Sequence, residues 1–246
     1  MKADEGVRPL NVVFDFGAVL FTWRPVELVA QCFPEQAATA QQAGHLAHAV
    51  FGHADWQEFD QGTLSMASVV DRTAERLSLN HGVLQQLVEG IGDKLVPMAD
   101  SLALLTQLHT RRTATGSQSQ SQSQSQSQSQ SESQSQSEPV PASSPEVRLY
   151  YLSNMPQPYA RALERLHPFL KWFDGGIFSG DVHHIKPEPA IYQLLQTRYA
   201  LQPSQTVFID DLLGNVQAAR TMGWHGIHFE SAAQVAAQLQ ALNLSK

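Results

Sequence analysis

Short apolar runs alternate with segments of helical spacing along much of this chain. The runs are rich in β-branched and aromatic residues, which is typical of strands buried on both faces. The predicted strands are Asn11–Phe16, Val147–Leu152, Gly176–Ser179, Thr206–Ile209 and Trp224–Phe229. Between the later strands, apolar residues recur at three- and four-residue steps, which indicates helices. This alternation predicts an α/β fold with a Rossmann-like, doubly wound parallel sheet.

Residues 25–96 interrupt the alternation, because their apolar positions follow helical spacing throughout. Leu87 and Ile91, for example, are four residues apart and lie on one helical face. We therefore predict an all-helical insert after the first strand. The sheet domain is then discontinuous and consists of residues 10–24 and 97–246.

A second interruption is an almost pure Ser-Gln alternation at residues 117–137, which is followed by three prolines. This tract has no apolar side chain to bury, so it cannot offset the ordering entropy of about 1–2 kcal/mol per residue. We predict a disordered insertion at residues 114–146 within the sheet domain. Lengthening a flexible loop costs only about 0.6 kcal/mol per doubling, so the fold can accommodate it.

Composition narrows the function classes. The chain has 246 residues, 42% of them hydrophobic, and a net charge of −7, which argues against a nucleic-acid-binding surface. Cys32 is the single cysteine, so an internal disulfide is excluded. The sequence has no signal-peptide pattern and no apolar run of the ~20 residues needed to span a bilayer. These features predict a cytoplasmic protein without a membrane partner and do not indicate an oligomeric state.

Polar residues with catalytic chemistry follow several of the predicted strands. Asp15 follows the first strand and Ser153 the second, while Asp210 and Asp211 follow the fourth. Lys186 lies in a proline-flanked loop just before a helix. Because the carboxyl ends of parallel strands lie at one edge of a sheet, we expect these side chains to converge on a single crevice.

Three neighbouring acids repel one another unless a cation lies between them. Carboxylate oxygens favour a hard ion such as Mg²⁺, which commonly keeps positions for water and a phosphate. The Lys186 ammonium and the Ser153 hydroxyl supply a positive charge and a hydrogen bond for phosphate oxygens. With Asp15 as a nucleophile, the set predicts a phosphoryl-transfer site for a small phosphorylated metabolite.

Four ordered motifs resemble those of the haloacid dehalogenase-like hydrolase superfamily. They are the segments Phe14–Leu20, Leu152–Asn154, Lys186–Tyr192 and Phe208–Asn215. The resemblance covers the whole chain except the first nine residues and the Ser-Gln tract. It implies the fold of that superfamily, with the helical insert acting as a cap that closes over the site and selects the substrate.

The resemblance also implies roles for individual residues. Asp15 would attack phosphorus and form an aspartyl-phosphate. Ser153 would bind the phosphoryl oxygens with Asn154 nearby, and Lys186 would neutralise the nucleophile and the phosphate. The implied Mg²⁺ ligands are the Asp15 carboxylate, the Gly17 backbone carbonyl and Asp211, with Asp210 and Asn215 reaching the ion directly or through water.

Other residues are expected to shape the substrate site. Gly17 would let the backbone turn and approach a ligand closely. Trp23 and Trp56 are candidates for lining the substrate pocket. The cap pattern Trp56-x-x-Phe59-Asp60-x-Gly62 resembles the branch that includes the α-D-glucose-1-phosphate phosphatases.

Gly17 is also a departure from the superfamily pattern. Typical phosphatases of this group carry a second aspartate two residues after the nucleophile, where it acts as general acid and base. We expect the chain either to prefer good leaving groups, such as sugar 1-phosphates, or to use a water or a cap residue as the proton donor.

The favoured function is a Mg²⁺-dependent phosphatase, with sugar phosphates as one candidate class. Two alternatives stay open at this point. One is a 2-haloacid dehalogenase, in which Asp15 attacks carbon without a metal. The other is a binding protein that keeps the fold and has lost the chemistry at Gly17.

Overall fold

The computed structural model describes residues 10–111 and 147–242. Five parallel strands form one sheet in the order β3-β2-β1-β4-β5. The strands are β1 (Leu10–Phe14), β2 (Val147–Ser153), β3 (Gly175–Phe178), β4 (Thr206–Asp210) and β5 (His225–His228). The α/β prediction with a parallel sheet is confirmed. The whole of the predicted insertion at residues 114–146 lies outside the described residues.

Helices cover both faces of the sheet. In the central strand, Val12 and Phe14 face one hydrophobic layer and Val13 faces the other, as the period of two dictates. The first layer includes a helix at residues 99–111 (α6), α7 (Gln157–Leu166) and α10 (Ala232–Ala241). The second layer includes α8 (Pro189–Arg198) and α9 (Leu213–Thr221).

Five further helices follow β1 and are called the cap helices below. They are α1 (Pro25–Cys32), α2 (Ala40–Phe51), α3 (Ala54–Asp60), α4 (Met66–Leu77) and α5 (His81–Lys94). The side chains of Thr39, His53, Ser65 and Asn80 accept backbone N–H groups at the starts of α2 to α5. Such caps satisfy donors that a helix start leaves unpaired, so the polar sequence positions define these boundaries.

Hydrogen bonds hold the cap helices against the sheet domain. The Tyr159 hydroxyl of α7 donates to the Val88 carbonyl of α5 at 2.7 Å. The Gln61 amide donates to the His183 carbonyl at 2.9 Å, and the His183 Nδ1 atom lies 3.0 Å from the Gln61 carbonyl. These contacts fix the cap helices relative to the carboxyl ends of the strands.

The backbone turn after β1 differs from the prediction. The strand ends at Phe14 rather than Phe16, because the Phe16 carbonyl accepts hydrogen bonds from Leu20 and Phe21 and thereby closes a turn. Ala18, with φ of 56°, is the left-handed residue of this turn, whereas Gly17 is not. The expectation that Gly17 provides the conformational freedom for the turn was therefore wrong.

Within the described ranges, no helix is both long and apolar enough to cross a bilayer.

Candidate active site

A cavity of about 250 Å³ lies between the cap helices and the carboxyl ends of the strands. It gathers residues that are far apart in sequence, as expected for a parallel sheet. The predicted site residues on its walls are Asp15, Gly17, Trp23, Trp56, Ser153, Asn154, Lys186, Asp211 and Asn215. Asp210 is fully buried and does not line the cavity.

The three acids of the strand ends form one cluster. The Phe14–Ile209 pairing between β1 and β4 brings Asp15 and Asp210 out of the sheet at the same level. Asp15, Asp210 and Asp211 each offer a carboxylate oxygen, and these oxygens all lie within 4.8 Å of one another. Oxygen donors at this spacing suit a hard divalent cation, so the residues present fit Mg²⁺.

A buried lysine bridges two of these acids. The Lys186 Nζ atom lies 2.9 Å from Asp15 Oδ1 and 2.7 Å from Asp210 Oδ2. Burial alone would lower the pKa of Lys186, but the charges of Asp15 and Asp210 outweigh it and raise that pKa. The ammonium is therefore held charged beside the Asp15 carboxylate, an arrangement that suits the binding of an anionic group.

The two oxygens of Asp15 have different environments. Oδ1 accepts the Phe16 backbone N–H at 2.7 Å and the Lys186 ammonium, whereas no described residue donates a hydrogen bond to Oδ2. Burial raises the pKa of Asp15 to about 7, with Lys186 opposing the shift and Asp210 adding to it. Among the described residues, Oδ2 is thus the Asp15 oxygen without a hydrogen-bond donor, and it could bind a cation.

Asp210 has a different role from its neighbour Asp211. Its carboxylate already accepts hydrogen bonds from Lys186, the Leu212 backbone N–H and the Asn215 amide, at 2.7 to 3.1 Å. Asp210 therefore orients Lys186 and the loop after β4. Asp211 is only partly buried, and burial followed by the charge of Asp210 raises its pKa. A cation at Asp15 and Asp211 would relieve this repulsion.

Ser153, the last residue of β2, and Asn154, which follows it, have different surroundings. Ser153 is buried at the end of the strand and faces the cavity. The Asn154 amide donates to the Lys186 carbonyl at 2.9 Å and accepts the Lys186 backbone N–H at 2.7 Å. Its polar atoms are thus engaged in holding the lysine loop, so the predicted role in substrate binding stays a prediction.

The cap side of the cavity is mostly aromatic. Trp23, Phe51, Trp56, Phe59 and Tyr159 form a continuous chain of edge-to-face contacts, with ring centroids 4.7 to 5.6 Å apart. All except Phe59 line the cavity. Edge-to-face pairs stabilise this wall beyond their apolar burial.

One cavity residue was not identified as functional from the sequence. Asp60, the last residue of α3, lines the same cavity as Asp15 and Lys186. The sequence contains a hint of this, because the helical insert carries the acid Asp60 while position 17 is a glycine instead of the usual aspartate. Sequence spacing alone could not show that Asp60, 45 positions after Asp15, shares a cavity with it.

Comparisons with known proteins agree with this architecture. A family model described as haloacid dehalogenase-like hydrolase matches residues 142–223, from just before β2 to just after α9. The chain is 21% identical over 231 residues to the sesquiterpene phosphatase astK of Aspergillus oryzae, covering 94% of each protein. These matches support the haloacid dehalogenase-like hydrolase superfamily.

Two solved structures of this superfamily show the same fold at low identity. A HAD-family enzyme of Bacteroides thetaiotaomicron, in complex with magnesium and inorganic phosphate, aligns with a TM-score of 0.58 and 16% identity over 91% of this chain and 95% of that one. The L-2-haloacid dehalogenase of Xanthobacter autotrophicus aligns with a TM-score of 0.56 and 16% identity over 96% of this chain and 84% of that one. The proposed likeness to glucose-1-phosphate phosphatases stays a prediction.

Gly17 stands at the position where typical phosphatases of the superfamily carry an aspartate. A Cβ atom on Gly17 would lie 3.8 Å from the Trp23 Cβ atom, which is an ordinary van der Waals contact. Since φ at Gly17 is also not positive, a side chain is sterically tolerated there. The backbone geometry therefore does not explain why the aspartate of typical phosphatases is absent from this position.

Proposed function

We propose that this protein is a Mg²⁺-dependent phosphatase that hydrolyses a phosphomonoester through an aspartyl-phosphate on Asp15. The observation that carries the proposal is the arrangement around Lys186. A buried ammonium bridges Asp15 and Asp210, and carboxylate oxygens of Asp15, Asp210 and Asp211 lie within 4.8 Å of one another. Carboxylate nucleophile, fixed positive charge and oxygen donors together supply what phosphoryl transfer needs.

Each side chain has a defined task in this reaction. Asp15 Oδ2 attacks phosphorus, while Lys186 favours the ionised form of Asp15 and stabilises the charge of the transferring phosphoryl group. The Ser153 hydroxyl donates to a phosphoryl oxygen from the carboxyl end of the neighbouring strand β2. Mg²⁺ held by Asp15, Asp211 and the Gly17 carbonyl would neutralise the phosphate and orient it for in-line attack.

The dehalogenase alternative is disfavoured by charge. Asp211 faces the cavity beside Asp15, and its negative charge would oppose an anionic haloacid in the absence of a metal ion. A phosphate monoester accompanied by Mg²⁺ does not meet this repulsion. The Bacteroides thetaiotaomicron enzyme, which was solved with magnesium and inorganic phosphate, also favours the phosphatase assignment.

The cap wall favours an apolar organic group on the phosphate. Phe51, Trp56 and Ile91 present rings and aliphatic surface to the cavity, and against these a sugar would lose hydrogen bonds to water. The relative astK is named as a sesquiterpene phosphatase, which agrees with this chemistry. We therefore propose alkyl or prenyl monophosphates as substrates in preference to sugar phosphates.

A phosphate-release panel tests the proposal. Prenyl monophosphates of five, ten and fifteen carbons, glucose 1-phosphate, glucose 6-phosphate and 2-chloropropionate are compared with Mg²⁺ and with EDTA. We expect release from the prenyl phosphates only with Mg²⁺ and no chloride release. Chloride release in EDTA would establish the dehalogenase, and a sugar phosphate as the best substrate would overturn the apolar preference.

A further inference from the structure

The proposed phosphatase needs a proton donor that Gly17 cannot supply. When an alkyl or prenyl ester bond breaks, the departing oxygen would leave as an alkoxide unless an acid protonates it. General acid catalysis of this kind is worth typically about 10²–10⁴-fold in rate. The following inference rests on the proposed function and concerns the source of that proton.

Asp60 lines the cavity in which the missing acid would act. Its side chain comes from the cap and lines the cavity that also contains Asp15 and Lys186. No described residue donates a hydrogen bond to its carboxyl oxygens, although its charge interacts with those of Asp15 and Lys186. A carboxyl group without structural partners at the wall of a reactive cavity is available for proton transfer.

The backbone of Asp60 is held tightly. The Ser179 hydroxyl, which is fully buried, donates to the Asp60 carbonyl at 2.5 Å. Two residues later, Gly62 packs so closely against the Gly180 carbonyl that a Cβ atom would lie 2.5 Å from its oxygen. These contacts anchor the end of α3 to the sheet domain, so Asp60 is presented to the cavity in a defined position.

The environment of Asp60 favours its protonated form. Burial raises the pKa of Asp60 well above its usual value, the charge of Asp15 raises it further, and Lys186 opposes the shift. Asp15 and Lys186 face it from the sheet domain, and the Tyr159 phenol faces it from α7. His183 contacts the carbonyl of the adjacent Gln61. A carboxyl group with a raised pKa can donate a proton at neutral pH.

We propose that Asp60, supplied by the cap, is the general acid and base of the reaction in place of a residue at position 17. In the first step Asp15 Oδ2 forms a bond to phosphorus, the ester P–O bond breaks, and the leaving oxygen takes the Asp60 proton. In the second step the Asp60 carboxylate takes a proton from water as that water attacks phosphorus. The bond between Asp15 and phosphorus then breaks, and phosphate leaves while Asp60 is protonated again.

The leaving group provides the test. 4-Nitrophenolate departs without protonation, whereas an alkoxide does not. In Asp60→Asn, rapid mixing with 4-nitrophenyl phosphate should give a burst of one nitrophenolate per enzyme at a rate within about 3-fold of wild type, because this step needs no acid. Steady-state turnover should then fall by about 10²–10⁴-fold, since the base is absent from the second step. With a prenyl phosphate, the first step itself should fall by a similar factor, without a burst.

Control variants separate this role from a structural one. Glu58→Gln removes a half-exposed acid from the same helix and should leave both substrates unaffected. Asp60→Glu should restore part of the prenyl phosphate activity. If Asp60→Asn loses its thermal unfolding transition, Asp60→Ser takes its place in the same assay.

The outcomes are distinguishable. Equal loss of phosphoenzyme formation from both substrates, or unchanged turnover of both, would overturn the role of Asp60. Failure of the wild-type protein to hydrolyse either ester would instead overturn the proposed phosphatase function.

Discussion

The two sides of the cavity are built on different principles. The floor consists of strand ends and the Lys186 loop, where the buried Lys186 forms ion pairs with Asp15 at 2.9 Å and with the fully buried Asp210 at 2.7 Å. The roof consists of cap helices, where aromatic rings meet edge to face and Asp60 is the acid that lines the cavity from the cap side. In the proposed function, the floor would recognise charge, and the roof would recognise shape and apolar surface.

In our proposal, this difference separates the reaction, which takes place at the floor, from substrate selection by the roof. The geometry of the floor depends on the pairing register of the parallel strands. This register tolerates little change, because a slip of one residue would move every side chain of a strand to the other face of the sheet. The roof is a packed helical surface, where volume and polarity can vary at moderate cost. In our proposal the proton donor belongs to the roof, so acid catalysis depends on the cap being in place.

The largest effect should come from the nucleophile. Asp15→Asn removes the attacking oxygen, so turnover of any phosphoester should fall by at least about 10⁴-fold. Phosphate release is the measurement, and Asp93→Asn, an exposed acid of α5, is the matched control. Turnover within 10-fold of wild type would mean that the floor is not the reaction centre.

The next effect concerns the bridging cation. Lys186→Met leaves Asp15 and Asp210 buried without their partner, which should lower the free energy of unfolding by about 3–5 kcal/mol. Turnover should fall by about 10²–10³-fold, because the charge that stabilises the phosphoryl group is lost. Denaturant unfolding and phosphate release measure the two effects, with the exposed Lys171→Met as control. An unfolding free energy close to wild type would contradict the ion-pair account.

A compensating acid on the floor should offset the loss of the roof acid. In the Asp60→Asn background, Gly17→Asp has room beside Trp23, so it should restore prenyl phosphate turnover at least about 10-fold. Gly44→Asp, at an open position of α2, is the matched control. A double variant no faster than Asp60→Asn would show that an acid at position 17 cannot reach the leaving oxygen.

The roof itself should control substrate choice. Phe51 packs against Trp23 and Trp56 with centroids 5.2 and 4.7 Å away and lines the cavity. Phe51→Ala should reduce kcat/KM for a prenyl phosphate by roughly 10- to 100-fold, from lost apolar burial, and for glycerol 3-phosphate by far less. Phe229→Ala, a partly buried ring outside the cavity, is the control. Equal losses on both substrates would place selection elsewhere.

The smallest effect is a pH dependence of stability in EDTA. The pKa of Asp15 is raised to about 7, so the folded state binds a proton that the unfolded state releases near pH 3.8. Stability should therefore decline as pH rises from 4 to 7, with a contribution on the order of 1–4 kcal/mol. Thermal unfolding of wild type and Asp15→Asn over this range measures it, and the variant should show the shallower decline. Identical slopes would remove Asp15 as the cause.

The order of strands and helices along the chain could be predicted from local sequence pattern, and so could the residue types at the candidate site. Alternating short strands and helices indicate a parallel sheet, and acids directly after Phe14 and Ile209 indicate a crevice at one sheet edge. Residue type at a strand end is a local property, so it can be recognised from the sequence. The same information suggested that a cap residue was one possible replacement for the acid absent at Gly17.

Only the tertiary structure decided which side chains act on which. It showed that Asp210 is occupied by Lys186 and Asn215, that Asn154 clamps the lysine loop, and that Asp60 shares the cavity with Asp15. Each of these relations joins residues from separate elements, whose distance depends on how the cap helices and strands pack. The sequence determines which side chains each helix or strand carries. Packing determines which of those side chains lie together in the cavity, because cavity geometry is set by contacts between residues far apart in the chain.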